Sequence, residues 1–268
     1  MEEKDTLVCA GIDPTVERFP AEIRDLTMSD TQKTARFLET YVDTVAPHVC
    51  VFKAQKAYFD LLSGGQSLLR DIIAHAHERH GIPVIIDAKV GDIDETMRAY
   101  RKNLFDVLGA DGIVVNPYMG DDVMLPLADY PDKLIVPLVK TSNPGGAIVQ
   151  DMKLEDGRFL WQRMLELVAQ RWNDGRNMAP VIASTQEIDA AMVRKAIPDA
   201  MPVFYAGMGA QGGSADALRG LLDSQGRGVL VNSSRGLMYP RADVGQSWQQ
   251  AIGESVIAFK ALLNRQRR

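Results

Sequence analysis

The architecture is signalled most clearly by one segment, Pro83-Val84-Ile85-Ile86-Asp87-Ala88-Lys89-Val90-Gly91-Asp92. It opens with a continuous apolar run, which is typical of a parallel strand covered on both faces. Charged residues appear only towards its end. The segment therefore predicts a buried strand in an α/β protein, with the chemistry placed where the strand stops.

Seven similar apolar runs occur elsewhere, and helical periodicity follows each of them. The eight predicted strands are Leu7–Asp13, Val49–Ala54, Pro83–Val90, Gly112–Pro117, Leu134–Lys140, Pro180–Thr185, Pro202–Gly207 and Gly228–Ser233. Eight strands alternating with helices predict a closed barrel or an open sheet. We expect a (β/α)8 TIM barrel because the count is eight and no GxGxxG follows the first strand.

The regions between the strands carry helix signals. Ser29 and Gln32 have the spacing of a capping box at the start of a helix. Apolar stripes at helical spacing then predict which side chains face the core. These stripes are Phe37, Leu38, Tyr41 and Val45 on one helix, and Met97, Tyr100, Leu104 and Leu108 on another.

Composition limits the class of protein. The chain has 268 residues, of which 46% are hydrophobic and 24% are charged, as in ordinary globular proteins. This length suits a single barrel domain over residues 1–268. The formal net charge of −5 gives no footprint for nucleic acid or an anionic membrane, so neither partner is expected.

The compartment is predicted from the start of the chain and from its cysteines. The segment Met1–Thr6 is polar and has no apolar signal core. No apolar run approaches the roughly 20 residues that span a bilayer. Cys9 and Cys50 are too few for a disulfide framework. We therefore expect a cytoplasmic protein.

Polar residues lie at the carboxyl ends of the predicted strands, where barrel enzymes hold their active sites. The candidates in chain order are Asp13, Lys53, Asp87, Lys89, Asp92, Ser142, Gln211 and Arg235. Asp87 and Lys89 are two residues apart, so on a regular strand they share the face that points into the barrel. Lys53, on the neighbouring strand, can compensate their charge.

Two interpretations of this charge array remain open. A single Asp–Lys pair is better explained as a structural ion pair at the top of the barrel. A full array of Lys53, Asp87, Lys89 and Asp92, together with ligand-binding loops, favours a catalytic site.

The last two loops indicate phosphate binding. Gly207–Gly213 contains four glycines in seven residues and can expose backbone N–H groups to an anion. Arg235 follows the eighth predicted strand. Barrels frequently bind phosphate with the loops after strands seven and eight, so we expect a phosphorylated substrate.

Other kinds of chemistry lack their residues. All four histidines lie outside the strand ends, and His75, His77 and His80 lack the i,i+4 spacing of a zinc pair. A solvated helix face explains these three. No strand end offers a nucleophile elbow. The sequence therefore predicts neither a metal nor an organic cofactor.

The motifs resemble those of the orotidine 5′-monophosphate decarboxylases, in their longer bacterial branch. Asp87–Thr96 is similar to the DxKxxDIxxT signature of that family, and Lys53 resembles its second-strand lysine. Thr141–Gly145, Gly209–Gly213 and Asn232–Arg235 resemble its fifth-strand and phosphate loops. The resemblance runs from Asp13 to Arg235, with one departure, since Ala206 stands where the family often has proline.

The resemblance implies a homodimer that converts orotidine 5′-monophosphate to UMP and CO2 in pyrimidine biosynthesis. Lys89 would protonate C6 of the pyrimidine, Asp87 would face the substrate carboxylate, and Lys53 would bridge the ribose and the charge array. Asp92 and Thr96 would enter the site of the partner subunit. The remaining implied contacts are Asp13 with the ribose, Ser142 with the pyrimidine, and Gln211 and Arg235 with the phosphate.

Three rival functions remain at this point. A Mg²⁺-dependent phosphosugar decarboxylase or aldolase shares the DxKxxD strand but needs further acidic ligands. A non-catalytic nucleotide-binding barrel needs only the phosphate loops. A Schiff-base aldolase needs a neutral Lys89, which two nearby carboxylates disfavour.

Overall fold

The protein forms a closed barrel of eight parallel strands. The computed structural model describes residues 1, 3–127, 130–183, 188–208 and 217–267. Strand order around the barrel follows the sequence from β1 to β8, and β8 closes on β1. The strands are β1 Val8–Ile12, β2 Val51–Gln55, β3 Val84–Val90, β4 Gly112–Val115, β5 Leu134–Lys140, β6 Val181–Ala183, β7 Val203–Ala206 and β8 Val229–Ser233. The predicted (β/α)8 fold is confirmed.

The helices cover the outside of the barrel and its ends. The α-helices are α1 Ala21–Arg24, α2 Asp30–Val45, α3 Lys56–Asp60, α4 Gly65–His80, α5 Asp94–Arg101, α6 Asp121–Met124, α7 Ala147–Gln150, α8 Leu160–Glu166, α9 Ala190–Ala196, α10 Leu218–Leu221, α11 Arg235–Met238 and α12 Trp248–Gln266. Helices α5 and α8 continue as π-helical turns over Lys102–Val107 and Leu167–Arg171.

Local signals place the ends of the longer helices. At α2 the Ser29 hydroxyl accepts the Gln32 N–H, and the Gln32 side chain accepts the Ser29 N–H, so the predicted capping box is confirmed. Helix α4 ends at His80 and is capped by Gly81, whose φ of +61° suits glycine. The core-facing stripe predicted for α2 is buried along its whole length.

The stripe predicted for α5 is wrong at one position. Met97, Leu104 and Leu108 are buried, but Tyr100 is 43% exposed.

The barrel interior has an apolar layer below a polar one. Cys9, Val51 and Ile85 pack in a cluster inside the strands. Gly11, Lys53 and Asp87 lie two residues further along the same strands, where Gly11 pairs with Lys53 and Asp87 pairs with Gln55. Because side chains on a strand alternate faces, the polar residues lie directly above the apolar layer. The apolar layer closes the bottom of the barrel, and the charged layer opens at the carboxyl ends of the strands.

None of the helices in the described ranges has the length and apolar character needed to cross a membrane. The proposed extent of the domain, residues 1–268, stays a prediction.

Candidate active site

A cleft of about 880 Å³ opens at the carboxyl ends of the strands. It brings together six of the residues predicted from the sequence, which come from β1, β2, β3, β5 and β8 or the loops that follow them. These residues are Asp13, Lys53, Asp87, Lys89, Ser142 and Arg235. The cleft therefore combines the charged layer of the barrel with two of the predicted ligand-binding loops.

Lys53 is the centre of the buried charge. Its ammonium lies 3.1 Å from Asp87 Oδ2 and 3.5 Å from Asp13 Oδ1, and the residue is 4% exposed. Gln55 Nε2 also donates to Asp87 Oδ2, at 3.3 Å. A buried ammonium requires such partners, because an unpaired charge in the interior is very costly.

Lys89 reaches Asp87 through an irregularity in β3. Asp87 pairs with Val114, but the next pairing on β4 joins Val90 to Val115, so Ala88 and Lys89 form a bulge. Lys89 also has a φ of +46°. Its Nζ lies 2.7 Å from Asp87 Oδ1. The two side chains converge as predicted, but a bulge and a left-handed residue bring them together, and regular strand alternation does not.

The array keeps its central groups ionised at neutral pH. Burial alone lowers the pKa of Lys53, but the carboxylates of Asp13 and Asp87 outweigh it, so the pKa is raised. Burial alone raises the pKa of Asp87, but the ammonium groups of Lys53 and Lys89 outweigh it, so the pKa is lowered. Both shifts preserve the alternation of positive and negative charge.

Asp13 presents an acceptor to the cleft. Its Oδ1 is buried and has no hydrogen-bond partner among the described residues. The backbone around it is held by Tyr239, whose hydroxyl donates to the Asp13 carbonyl at 3.1 Å and accepts the Thr15 N–H at 2.8 Å. A ligand hydroxyl would satisfy the buried oxygen.

Ser142 is positioned by the loop after β5. The side chain of Gln150 accepts the Thr141 N–H at 3.0 Å and donates to Thr141 Oγ1 at 2.8 Å. Lys140 pairs with Asp151 at 2.5 Å. These contacts tie both ends of the segment between β5 and α8 to the barrel and leave Ser142 on the cleft wall.

Arg235 opens α11 directly after Ser234. A Cβ placed on Gly11 of β1 would lie 1.9 Å from Ser234 Oγ and 2.8 Å from Ser234 Cα. Only a residue without a side chain at position 11 allows this approach. The first strand therefore supports the loop that carries Arg235.

Comparison with known proteins agrees with this geometry. The sequence profile described as "Orotidine 5'-phosphate decarboxylase / HUMPS family" matches residues 6–249. The chain belongs to this family. The orotidine 5′-phosphate decarboxylase of Aromatoleum aromaticum is 38% identical over 266 residues, covering 98% of this chain and 95% of the relative. That of Dechloromonas aromatica is 38% identical over 244 residues, covering 90% and 88%. The structure of Leishmania donovani OMP decarboxylase gives a TM-score of 0.84 at 28% identity, covering 99% and 96%.

Two predicted site residues, Asp92 and Thr96, are absent from the lining of the cleft that the described part of the chain forms. Asp92 follows β3 and accepts only the N–H of Ile93, at 2.8 Å, among the described residues. Thr96 is exposed on α5. Gln211 lies outside the described residues. One chain therefore assembles Lys53, Asp87 and Lys89 but not the Asp92 end of the predicted array.

Sequence reasoning missed several polar residues that line the cleft of this protein. Gln55, Asn116 and Arg18 line the cleft. Gln55 could have been found, because it is two residues after Lys53 and shares its face. Arg18 lies in the short turn Val16–Arg18, which no sequence pattern placed near the strand ends.

Proposed function

We propose that this protein decarboxylates orotidine 5′-monophosphate to UMP and CO2. The observation that carries the proposal is the Lys89–Asp87–Lys53–Asp13 array at the base of the cleft, with successive separations of 2.7, 3.1 and 3.5 Å. The names of relatives 38% identical over nearly the whole chain support the same reaction. Pyrimidine nucleotide synthesis is its place in metabolism.

Lys89 is the proposed proton donor. Loss of CO2 from C6 leaves the electron pair of the broken bond in a vinylic carbanion that the pyrimidine ring cannot delocalise. An ammonium fixed beside C6 stabilises this charge more than it stabilises the ground state. Lys89 then transfers a proton to C6, which gives UMP. No metal or organic cofactor takes part in this scheme.

Asp87 and Lys53 are proposed to set the charge around the reacting carbon. Asp87 keeps Lys89 in place and faces the substrate carboxylate, which it disfavours by like-charge repulsion. Lys53 holds Asp87 ionised from the other side. Asp13 is proposed to accept a hydrogen bond from a ribose hydroxyl through its buried Oδ1.

The remaining contacts are proposed to bind the ends of the substrate. Ser142 would contact the pyrimidine, and Arg235 and Gln211 the phosphate. Phosphate binding remote from C6 can contribute to the rate by favouring the closed, correctly oriented complex.

We also propose that the active protein is a homodimer with shared sites. Asp92 and Thr96 lie outside the cleft of their own chain, so their proposed role requires them to enter the cleft of a partner subunit. An exposed apolar surface lies around α5 and the neighbouring turns, and it includes Tyr118, which is 78% exposed. A second copy of this chain covering that surface would bring Asp92 to the partner's cleft. The members of this apolar surface are Ile93, Tyr100, Tyr118, Met119 and Leu125. The cytoplasm remains the predicted compartment.

The Mg²⁺-dependent rival fits the charge array poorly. Both oxygens of Asp87 already accept from ammonium groups, Oδ2 from Lys53 and Oδ1 from Lys89. A divalent cation on Asp87 would have to displace a lysine and lie beside a second one. A non-catalytic nucleotide-binding barrel has no use for three buried or clustered charges below its phosphate loops.

The test is the fall in absorbance as orotidine 5′-monophosphate becomes UMP, measured with EDTA-treated protein. Turnover without added metal is expected. Absence of turnover, with activity on a phosphosugar restored by Mg²⁺, would move the chain to the metal-dependent class. Nucleotide binding without activity in either assay would leave a binding protein.

A further inference from the structure

Two histidines and one aspartate meet on the outer helices, and none of the three lines the cleft. Asp43 lies near the end of α2, and His75 and His80 lie in the last turns of α4. The Nε2 atoms of both imidazoles lie 2.7 Å from the same oxygen, Asp43 Oδ1. The expected solvated histidine face is therefore wrong for His75 and His80, whose side chains are 16% and 21% exposed.

We propose that Asp43, His75 and His80 form a binding site for a divalent transition-metal ion, with Zn²⁺ as the best match, between α2 and α4. The site is separate from the proposed decarboxylation.

The donor set selects the class of ion. Two imidazole nitrogens and one carboxylate oxygen are ligands that Zn²⁺ accepts, with water in its fourth position. Mg²⁺ and Ca²⁺ prefer oxygen ligands throughout and match this set less well. One ligand atom from each of the three residues lies within 4.8 Å of the other two, so a single ion can reach all of them.

The geometry requires only a small rearrangement. Ligand atoms around a tetrahedral zinc ion lie roughly 3.3 Å apart. Each N–O separation here is 2.7 Å, so the cluster must open by roughly 0.6 Å for an ion to enter. Asp43, with a side chain 45% exposed, has room to rotate, whereas the two imidazole side chains are only 16% and 21% exposed.

The surrounding charge also favours a cation. Across the described ranges, no lysine or arginine lies within ion-pair distance of Asp43. Helix α2 ends at Val45 and α4 ends at His80, and the carboxyl end of a helix carries partial negative charge. A dication at the cluster would face the ends of both helices.

The alternative is a purely hydrogen-bonded cluster, in which both imidazoles donate to Asp43 and no ion binds.

Two titrations of metal-free protein distinguish the metal site from the hydrogen-bonded cluster: ZnCl2 followed by calorimetry, and CoCl2 followed by visible absorption. We expect saturation at one equivalent and the absorption bands of tetrahedral Co²⁺. Loss of a residue that only supports a metal ligand weakens metal binding about 10- to 100-fold. Asp43→Asn and the double variant His75→Gln/His80→Gln remove the proposed ligands themselves, so each should weaken binding at least tenfold.

A matched control lies on the same helix. His77 pairs with Asp111 at 2.7 Å and is outside the cluster, so His77→Gln should bind metal as the wild type does. In wild-type protein, Zn²⁺ should shift the imidazole NMR signals of two of the four histidines. The proposal is overturned by absence of saturable binding to the wild type, or by equal binding in the wild type and the cluster variants.

Discussion

Lys89 combines the reactive ammonium with a strained backbone. A φ of +46° in a residue that carries a Cβ costs of order 1 kcal/mol or more. The bulge at Ala88 and Lys89 interrupts the pairing of β3 with β4, and it directs the ammonium to Asp87 Oδ1. The chain therefore accepts local strain at the residue proposed to carry the chemistry.

Turnover should depend on the Lys89 side chain. Lys89→Ala removes both the electrostatic stabilisation and the proton donor, and we expect kcat to fall by at least about 10⁴-fold. Circular dichroism should show an intact fold. Lys56→Ala, which removes a partly exposed ammonium paired with Asp60, is the matched control and should keep near-normal turnover. Near-normal activity in Lys89→Ala would refute the proposed mechanism.

The strain at position 89 should be visible in stability. Glycine adopts positive φ without steric cost, so Lys89→Gly should be more stable than Lys89→Ala by about 1 kcal/mol. Both variants lack the ammonium, so the comparison isolates the backbone. Denaturant unfolding measures the difference, and an alanine variant at least as stable as the glycine variant would show that the backbone is unstrained.

Asp87 should make stability depend on pH at the acid end. Its pKa is lowered in the folded protein from a value of 3.8, because the two lysines outweigh its burial. Its ionised form therefore stabilises the fold above pH 3.8, and this contribution is lost as pH falls through the lower, folded pKa.

Comparison of the wild type with Asp87→Asn measures this contribution. The gap in their free energies of unfolding should be constant near neutral pH and should shrink as pH is lowered towards about 3. Asp60→Asn changes an exposed ion pair of little energetic weight and should follow the wild type throughout. A gap that stays constant or widens in acid would contradict the shift in pKa.

Of the nine site residues predicted from the sequence, six line the cleft. Strand-end position was sufficient for Asp13, Lys53 and Asp87, because parallel strands end together. It was insufficient for Arg18, whose approach depends on how the turn after β1 folds back. Strand periodicity also could not predict the bulge that aims Lys89.

At the scale of elements, the contact between β1 and the turn before α11 links the barrel to the proposed phosphate loop. Gly11→Ala should push Ser234 and Arg235 outward, since the new Cβ would overlap Ser234 Oγ and approach its backbone. We expect KM for the phosphorylated substrate to rise at least about tenfold. The effect on binding of an analogue without phosphate should be much smaller.

A second glycine provides the control for this substitution. Gly253 lies in α12, where an added Cβ would meet only Thr44 Cγ2 at an ordinary 3.7 Å. Gly253→Ala should leave KM unchanged and stabilise the helix slightly, by about 0.5–1 kcal/mol. A Gly11→Ala protein with wild-type KM would show that β1 does not support the loop.

Element type was predictable from sequence, whereas side-chain placement on short helices was not. The eight continuous apolar runs became eight strands because each is buried on both faces of the wall. Tyr100 fits the helical stripe of α5 but is 43% exposed. Periodicity cannot distinguish a helix face that packs on the barrel from one that remains partly exposed.

At the scale of the whole molecule, the single chain leaves its proposed site incomplete. Asp92 and Thr96 lie outside the cleft, beside the apolar surface that includes Tyr100 and Tyr118. A symmetric dimer places the same surface of each copy against the other. One contact would then bury the apolar side chains and complete both clefts.

Mixing two inactive variants tests this arrangement. In a heterodimer of Asp92→Ala and Lys89→Ala, one cleft receives Lys89 from the first subunit and Asp92 from the second, so it is intact. The other cleft lacks both. After random exchange of equal amounts, half the dimers are mixed, so about a quarter of wild-type activity should return. A mixture of Lys53→Ala with Lys89→Ala is the control and should stay inactive, because both lysines belong to the same half of a site. Equal activity of the two mixtures, once subunit exchange is verified, would mean that each chain works alone.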